Sequence, residues 1–289
     1  MKLQGSIVAL VTPFTEDLKV NFEVLDQLID FHLQNKTSAI SILGTTGEAA
    51  NLSLDEQKEI VAFVVEKVAG RLHINVGAGS NSSQKALELS KIFEDLGADS
   101  LLHVTPYYNK PTEKGLIKHF SLLADNLHIP IILYNVPQRT GVSLSPKAVG
   151  ILAKHKNIMG IKEASGDMSY AMELSQHLTD DFALYSGNDD LILPLLSIGA
   201  SGVISVWANI MPKEVADLVD SFKENKDKTL LLQKKYLPLI KALFSETNPI
   251  PIKFALNYIG YVVGDLRLPL EGADETTKVK IIQELERLK

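Results

Sequence analysis

One lysine stands at the end of an apolar segment, where it could act as a nucleophile. Lys162 closes the run that begins at Asn157, and Glu163 follows it directly. A free lysine amine has a pKa of about 10.4 and is almost fully protonated at neutral pH, but burial against apolar walls lowers that pKa. An unprotonated amine can attack a ketone and form an imine. Lys162 is therefore a candidate Schiff-base nucleophile, and a solvated lysine at a strand end is the alternative.

A tyrosine ends the apolar segment Pro130–Tyr134, and an arginine lies shortly after it. The hydroxyl of Tyr134 could carry protons to and from an imine-forming lysine, although core packing is the more usual role of a tyrosine. Arg139 lies in a turn between Pro137 and Gly141. Its guanidinium could bind a carboxylate through two parallel hydrogen bonds, and a surface salt bridge is the alternative.

A third candidate is the loop Gly44-Thr-Thr-Gly-Glu48. Paired glycines and hydroxyls allow backbone N–H groups to point at a carboxylate, as in other turns that bind anions. The same residues would also suit a tight turn before a capped helix. Both interpretations stay open at this point.

The elements that would position these residues are short β-branched runs alternating with amphipathic stretches. Ser53 to Glu56 reads as a capping box, and Ser145-Pro146 as a cap residue before a proline in the first helical turn. Eight βα units predict a closed parallel (β/α)8 barrel, with a doubly wound sheet as the alternative. The eight predicted strands are Ser6–Val11, Ser38–Leu43, His73–Val76, Ser100–Val104, Pro130–Tyr134, Ile158–Lys162, Phe182–Tyr185 and Gly202–Val206.

In a barrel of this kind the chemistry takes place at the C-terminal ends of the strands. The loop 44–48 follows the second predicted strand, and the segment 105–109 follows the fourth. Tyr134 and Lys162 end the fifth and sixth. All these groups would therefore face one mouth of the barrel.

The last part of the chain loses the strand pattern. Lys223 to Lys228 predicts a charged, solvated link after the eighth helix. Beyond it, Leu230–Leu243, Ile252–Ile259 and Thr276–Leu288 have helical apolar spacing. We therefore expect a barrel domain at 1–224 and a C-terminal helical extension at 225–289.

Composition narrows the classes of function. The 289 residues carry 29 Lys and Arg against 35 Asp and Glu, a net charge of −6, which does not favour nucleic acid or an anionic membrane as a partner. The chain has no cysteine, no apolar run of about 18 residues and no signal-peptide pattern, so we expect a cytoplasmic protein. The seven histidines show no paired spacing for a metal, and Asp189-Asp190 predicts a negatively charged helix start.

Five segments carry a resemblance that spans nearly the whole chain. They are Gly44-Thr-Thr-Gly-Glu48, Val104-Thr-Pro-Tyr-Tyr-Asn109, Leu133-Tyr-Asn-Val-Pro137, Gly160-Ile-Lys-Glu163 and Asn248-Pro-Ile-Pro-Ile-Lys253. In this order and spacing the chain resembles the dihydrodipicolinate synthase and N-acetylneuraminate lyase family. The resemblance implies a barrel with a C-terminal helical extension. It also implies pyruvate bound covalently as a Schiff base, with no metal or organic cofactor.

The resemblance assigns a role to each matching residue. Lys162 would form the imine, and its proton relay would consist of Tyr134, Thr45 and Tyr108. Tyr108 would come from a neighbouring subunit, in a homotetramer built from two tight dimers. The pyruvate carboxylate would lie against Thr46 and the loop N–H groups, in a pocket lined by the backbones of Gly187 and Ile204.

Arg139 is the residue from which we predict the aldehyde substrate. The segment Asn135 to Gly141 matches the synthase branch of the family, in which this arginine binds the carboxylate of aspartate semialdehyde. That branch joins pyruvate to aspartate semialdehyde on the route to diaminopimelate and lysine. The alternatives are a related pyruvate-dependent aldolase acting on a sugar acid, and a non-catalytic pyruvate sensor that would have lost part of the relay.

Some members of the family are inhibited by lysine at a subunit interface near the second loop. Inhibited bacterial members tend to have a serine, histidines and a glutamate where this chain has Ala49, Leu54, Gln57 and Lys85. The ammonium of Lys85 would repel the ammonium groups of the ligand. We therefore expect weak or absent inhibition by lysine.

Overall fold

Eight parallel strands form a closed barrel in a computed structural model that describes residues 3–289. Each strand pairs with the next along the chain, and the eighth pairs with the first. The strands are β1 Gly5–Ala9, β2 Ala39–Ile42, β3 His73–Gly77, β4 Ser100–Val104, β5 Ile131–Asn135, β6 Ile158–Glu163, β7 Ala183–Ser186 and β8 Gly202–Ser205. The predicted (β/α)8 barrel is confirmed, with strand bounds within two residues of those observed.

Helices surround the barrel and continue beyond it. They are α1 Phe22–Gln34, α2 Leu54–Val68, α3 Ser83–Asp95, α4 Glu113–Asp125, α5 Pro137–Thr140, α6 Pro146–Leu152, α7 Met168–Ser175, α8 Ile192–Ser197, α9 Pro212–Glu224, α10 Lys226–Leu243, α11 Ile250–Tyr258 and α12 Glu275–Leu288. Both predicted helix starts are confirmed. Ser53 and Glu56 form a reciprocal capping box on α2, and the Ser145 hydroxyl accepts from the N–H of Ala148, with Pro146 first in α6.

The hydrophobic core has two layers, and the pleat of each strand assigns its residues to one or the other. Along β5, Leu133 packs outward against the helices, whereas Ile132 and Tyr134 pack inside the barrel. Along β6, Ile161 belongs to the outer layer, so the next residue, Lys162, points inward. Strand alternation alone therefore directs Tyr134 and Lys162 into the same interior.

The C-terminal extension consists of α10, α11 and α12, close to the three predicted helices. The ring of Tyr236 on α10 lies 4.9 Å from the ring of Trp207, which follows β8. Leu239 and Ile252 are fully buried in the same apolar layer that covers the outside of the strands. The division at 224/225 falls between α9 and α10, and the assignment of a barrel domain and a C-terminal extension on either side of it stays a prediction.

The predicted link at Lys223 to Lys228 is wrong, because α9 runs to Glu224 and α10 begins at Lys226. Asn225 alone separates the helices, and its side chain accepts from the N–H of Lys228 at 3.0 Å. Lysine and glutamate are good helix formers, so charged residues on an exposed face do not interrupt a helix once a cap residue begins it.

Among residues 3–289, no helix combines the length and the hydropathy that a bilayer crossing requires.

Candidate active site

Tyr134 and Lys162 lie side by side at the C-terminal ends of β5 and β6. The two residues are register partners, and Nζ of Lys162 is 4.6 Å from the centroid of the Tyr134 ring. Lys162 is 6% exposed. The alternative interpretation, a solvated lysine at a strand end, is therefore wrong, and the amine is enclosed as an imine-forming lysine requires.

Burial changes the protonation of this amine. Desolvation lowers the pKa of Lys162 to about 8, the carboxylate of Asp189 opposes that shift, and the guanidinium of Arg139 lowers the pKa further. At pH 7 roughly one amine in ten is then unprotonated, compared with fewer than one in a thousand for a free lysine. A fraction of the Lys162 amine is therefore unprotonated near neutral pH, and its role as the nucleophile stays a prediction.

The hydroxyl of Tyr134 has the opposite shift. Burial raises its pKa, while the nearby charge of Arg139 and a side-chain hydrogen bond with Thr45 lower it. The phenol therefore stays protonated at neutral pH and can donate a hydrogen bond or a proton. The hydroxyls of Thr45 and Tyr134 are thus hydrogen-bonded to each other, and their role as a proton relay stays a prediction.

A buried hydrogen bond between Asn135 and Glu163 keeps the ends of β5 and β6 aligned. Asn135 and Glu163 follow Tyr134 and Lys162 and point away from the interior, where the Asn135 amide donates to Oε2 of Glu163 at 2.8 Å. The Glu163 carboxylate also accepts from the N–H of Ser165. This buried link joins β5 to β6 just behind the two inward-facing groups.

The loop after β2 is held from both sides. The hydroxyl of Thr46 is buried and accepts from the side-chain amide of Asn248 at 2.8 Å. The carbonyl of Gly47 accepts from the hydroxyl of Thr12 at 2.7 Å. A Cβ at Gly47 would lie 3.2 Å from the carbonyl oxygen of Leu10, so a side chain there would require the loop to shift by a few tenths of an ångström.

Arg139 lies in the single helical turn α5, beyond the end of β5. Its Nη2 donates to the backbone carbonyl of Asn248 at 3.0 Å, and the rest of the guanidinium is exposed at the mouth of the barrel. Asn248 therefore contacts both Thr46 and Arg139, two residues expected to bind the substrates' carboxylates.

A cavity of about 410 Å³ connects these groups. Six of the predicted site residues line it: Thr45, Thr46, Tyr134, Arg139, Lys162 and Gly187. An adjoining cavity of about 720 Å³ shares Thr45, Tyr134 and Arg139 with the first. Its outer wall includes all four residues on which the expectation of weak lysine inhibition rests, namely Ala49, Leu54, Gln57 and Lys85. That expectation stays a prediction.

Gly187 lies on the wall of the smaller cavity, whereas Ile204 lies in the barrel interior. A Cβ at Gly187 would lie 2.6 Å from Cβ of Ala164 and 3.1 Å from Cε of Lys162, so only glycine leaves room beside the lysine. Ile204 is fully buried in the barrel interior, in the cluster that includes Tyr134. It supports the floor of the site, and its role in lining the pocket stays a prediction.

Tyr108 is the one member of the predicted relay that lies apart from the others. Its side chain is 89% exposed, and its φ of 72° lies in the left-handed region, which is uncommon for a tyrosine. Within one chain the structure therefore brings together Lys162, Tyr134 and Thr45 but leaves Tyr108 on the surface.

Two residues near the site had no predicted chemical role. Asp189 does begin a short 3-10 turn, as the paired aspartates suggested, but its carboxylate is buried and accepts from the N–H groups of Val206 and Trp207 at 3.1 and 2.9 Å. Burial raises its pKa to about 6. Asn248 is the other. Asn248 begins one of the five segments that carry the family resemblance, which could have marked it as functional. Nothing in its neighbouring sequence indicated a contact with Thr46.

Among the histidine, aspartate and glutamate side chains of residues 3–289, no group of three or more is arranged to hold a metal ion.

Comparison with known proteins agrees with the geometry. The model of the dihydrodipicolinate synthetase family matches residues 2–288. A 4-hydroxy-tetrahydrodipicolinate synthase of Caldicellulosiruptor saccharolyticus is 51% identical over 276 residues, which cover 95% of this chain and 93% of that protein.

Solved structures agree as well. A crystal structure of a dihydrodipicolinate synthase superimposes with a TM-score of 0.94 at 45% identity and covers 99% of both chains. A monomeric dihydrodipicolinate synthase variant superimposes with a TM-score of 0.96 at 41% identity and covers 98% of this chain and 96% of its own. The resemblance drawn from the five segments is thus confirmed, and the chain belongs to the dihydrodipicolinate synthetase family.

Proposed function

We propose that this chain is a lyase of the class I aldolase type that condenses pyruvate with L-aspartate 4-semialdehyde. The product is 4-hydroxy-tetrahydrodipicolinate, on the route to diaminopimelate and lysine. The family membership and 51% identity to a synthase of this name support the reaction. The observation that carries the residue assignment is the buried Lys162 amine beside Tyr134, in a cavity that Arg139 also lines.

The reaction begins with the unprotonated amine of Lys162. Nζ attacks the keto carbon of pyruvate, the resulting carbinolamine loses water, and an iminium forms between the two. Tyr134 supplies the proton that the departing hydroxyl needs. Thr46 and the N–H groups of its loop bind the pyruvate carboxylate, while Gly187 leaves space for the adduct.

Carbon–carbon bond formation follows from the charge on that iminium. The iminium withdraws electrons, so the methyl group loses a proton to the relay of Tyr134, Thr45 and Tyr108 and becomes an enamine. The enamine carbon attacks the aldehyde, whose own carboxylate is bound by Arg139. The substrate's amine then displaces Lys162 and closes the ring. Because the iminium itself accepts the electrons, we propose no metal or organic cofactor.

Two expectations about the protein in the cell belong to the same proposal. Tyr108 is exposed enough to reach the site of a neighbouring copy, which supports at least a dimer. The homotetramer of two tight dimers is proposed from the family resemblance alone. The family also includes a monomeric variant, so sedimentation at assay concentration is the deciding measurement. A fully active monomer would remove Tyr108 from the relay. A cytoplasmic location is tested by fractionating cells that produce the protein.

The direct test of the activity is pyruvate-dependent consumption of aspartate semialdehyde. The product is passed to an added downstream reductase, and oxidation of NADPH is followed. We expect turnover that requires both substrates. Folded protein that pyruvate and borohydride label, but that does not consume this aldehyde, would instead be an aldolase for a sugar acid or a pyruvate sensor.

The pH dependence of adduct formation reports the protonation of Lys162. Since only the unprotonated amine attacks, and burial lowers the pKa of Lys162 to about 8, the initial rate should rise about tenfold per pH unit below 8 and level off above it. The measurement is rapid mixing with pyruvate, a borohydride quench and intact-mass spectrometry. In Asp189→Asn the inflection should move to lower pH, because Asp189 raises the pKa of Lys162. A wild-type inflection near pH 10 would contradict this description of the site.

A further inference from the structure

We propose that a buried ion pair between Glu48 and Lys253 makes the C-terminal extension part of the pyruvate site. The pair would hold the loop that carries Thr45 and Thr46, so Glu48 and Lys253 are positioning residues for the pyruvate carboxylate. The inference rests on the proposed function, because the loop matters in this way only if it binds pyruvate.

The pair is close and enclosed. Nζ of Lys253 lies 2.8 Å from Oε1 of Glu48, and the two side chains are 2% and 0% exposed. Nζ also donates to the carbonyl of Asp265 at 2.9 Å and lies 4.1 Å from the centroid of the Phe14 ring. The other carboxylate oxygen of Glu48 accepts from the N–H of Arg267 at 3.1 Å. Glu48 therefore has polar partners from the extension on both oxygens.

Glu48 occupies the position at which the loop ends. Its N–H donates to the carbonyl of Thr45 at 3.1 Å and closes the turn that contains Thr45 and Thr46. Its backbone has a φ of 52°, in the left-handed region that a residue with a side chain rarely adopts. Such a conformation persists only where surrounding contacts hold it. The Glu48 carboxylate is held by Lys253 and Arg267 of the extension, and the side-chain amide of Asn51 adds a longer contact at 3.5 Å.

A second contact from the same region holds the middle of the loop. Asn248 lies five residues before Lys253 in the chain, and its side-chain amide donates to the hydroxyl of Thr46 at 2.8 Å. The extension thus binds the loop at Thr46 and at Glu48, while Thr12 holds Gly47 from the barrel side. Removing one of these contacts should loosen the loop without touching Lys162.

The competing explanation is a pair that contributes only to folding. Removing one partner of a buried pair is strongly destabilising, whereas replacing both by neutral groups of similar size is often neutral or stabilising. Stability and loop position can therefore be separated. A double variant should recover stability, but it still lacks the charge attraction that positions the end of the loop.

The experiment compares Lys253→Met, Glu48→Gln and the double variant. Each is measured for thermal midpoint, KM for each substrate, and borohydride labelling as a function of pyruvate concentration. We expect Lys253→Met to lower the midpoint and to raise the KM for pyruvate on the order of tenfold, since small displacements of positioning groups have large effects. The KM for the aldehyde should change much less. In the double variant the midpoint should recover while the KM for pyruvate stays raised.

Lys67→Met is the matched control. Lys67 joins α2 to α1 through Asp26 and Asp30, with Nζ–O distances of 2.8 and 2.9 Å. It lies in the last turn of α2, whereas the loop precedes the first turn of that helix. Its loss removes two ion pairs between helices, and both KM values should stay at the wild-type level.

The double variant decides, because either single variant leaves one buried charge without its partner and risks unfolding. If its pyruvate KM returned to the wild-type value together with the midpoint, the pair would be structural and the inference wrong. If the double variant and the wild-type protein required the same pyruvate concentration for labelling, the inference would also be wrong, while the proposed function would stand. Wild-type protein that pyruvate does not label would overturn the proposed function and this inference with it.

Discussion

Replacement of Lys162 with alanine should abolish the borohydride-stable pyruvate adduct and lower the rate of condensation on the order of 10⁴-fold or more. The reason is that the enamine exists only while pyruvate is bound to this amine, and no other described lysine has its Nζ beside Tyr134. Alanine leaves an apolar residue in an apolar interior, so the fold should survive. Intact-mass spectrometry after reduction and the coupled assay measure the two effects.

Lys241→Ala is a useful control for the adduct. Lys241 is the other lysine on the wall of the same cavity, and it is exposed. Its amine lies outside the buried interior that holds Lys162 and Tyr134, so removing it should leave labelling by pyruvate intact. If instead Lys162→Ala were still labelled and Lys241→Ala were not, the nucleophile would be Lys241 and the assignment of Lys162 would fail.

Arg139→Ala should lower kcat/KM for aspartate semialdehyde by roughly 100-fold or more, the effect of losing two charge-assisted hydrogen bonds to a carboxylate. The enamine would still form, because Lys162, Tyr134 and Thr45 are unchanged. The expected signature is therefore an aldehyde KM that rises strongly while borohydride labelling by pyruvate continues. The coupled assay at fixed, saturating pyruvate measures the first quantity.

Arg139→Lys separates charge from geometry. Lysine keeps a positive charge at the mouth but cannot form two parallel hydrogen bonds, so it should recover only part of the lost activity. A shift in the KM for pyruvate would show that loss of the Arg139 contact with Asn248 disturbs the loop at Thr46. Unchanged affinity for the aldehyde in Arg139→Ala would remove the arginine from the second-substrate site and favour a sugar-acid substrate.

Local patterns were sufficient to predict the elements and the residues at their ends. Short apolar runs predicted all eight strands. The reason is that the hydrophobic periods of strands and helices differ, and that turn-forming residues bound each run. Tyr134 and Lys162 were predicted to share one mouth because each ends one of two neighbouring predicted strands. The same local reasoning failed at Lys223 to Lys228, where charge was read as a loop although it covers the exposed faces of two helices.

Contacts between distant segments lay beyond such patterns. Asp189 reads locally as the first charge of a helix, yet its carboxylate is buried against the N–H groups that follow β8. Thr46 and Asn248 are 202 residues apart, and Glu48 and Lys253 are paired across a similar separation. No periodicity connects residues at that distance.

By itself, the amino-acid sequence determined the barrel, its mouth and the types of residue placed there, because alternation and breakers act over a few neighbouring residues. Only the tertiary structure decided that the Lys162 amine is buried with a pKa of about 8, and that the extension closes over the loop at Thr46 and Glu48. Burial and ion pairing depend on which distant surfaces meet when the barrel closes, and desolvation at those surfaces lowers the pKa of the Lys162 amine.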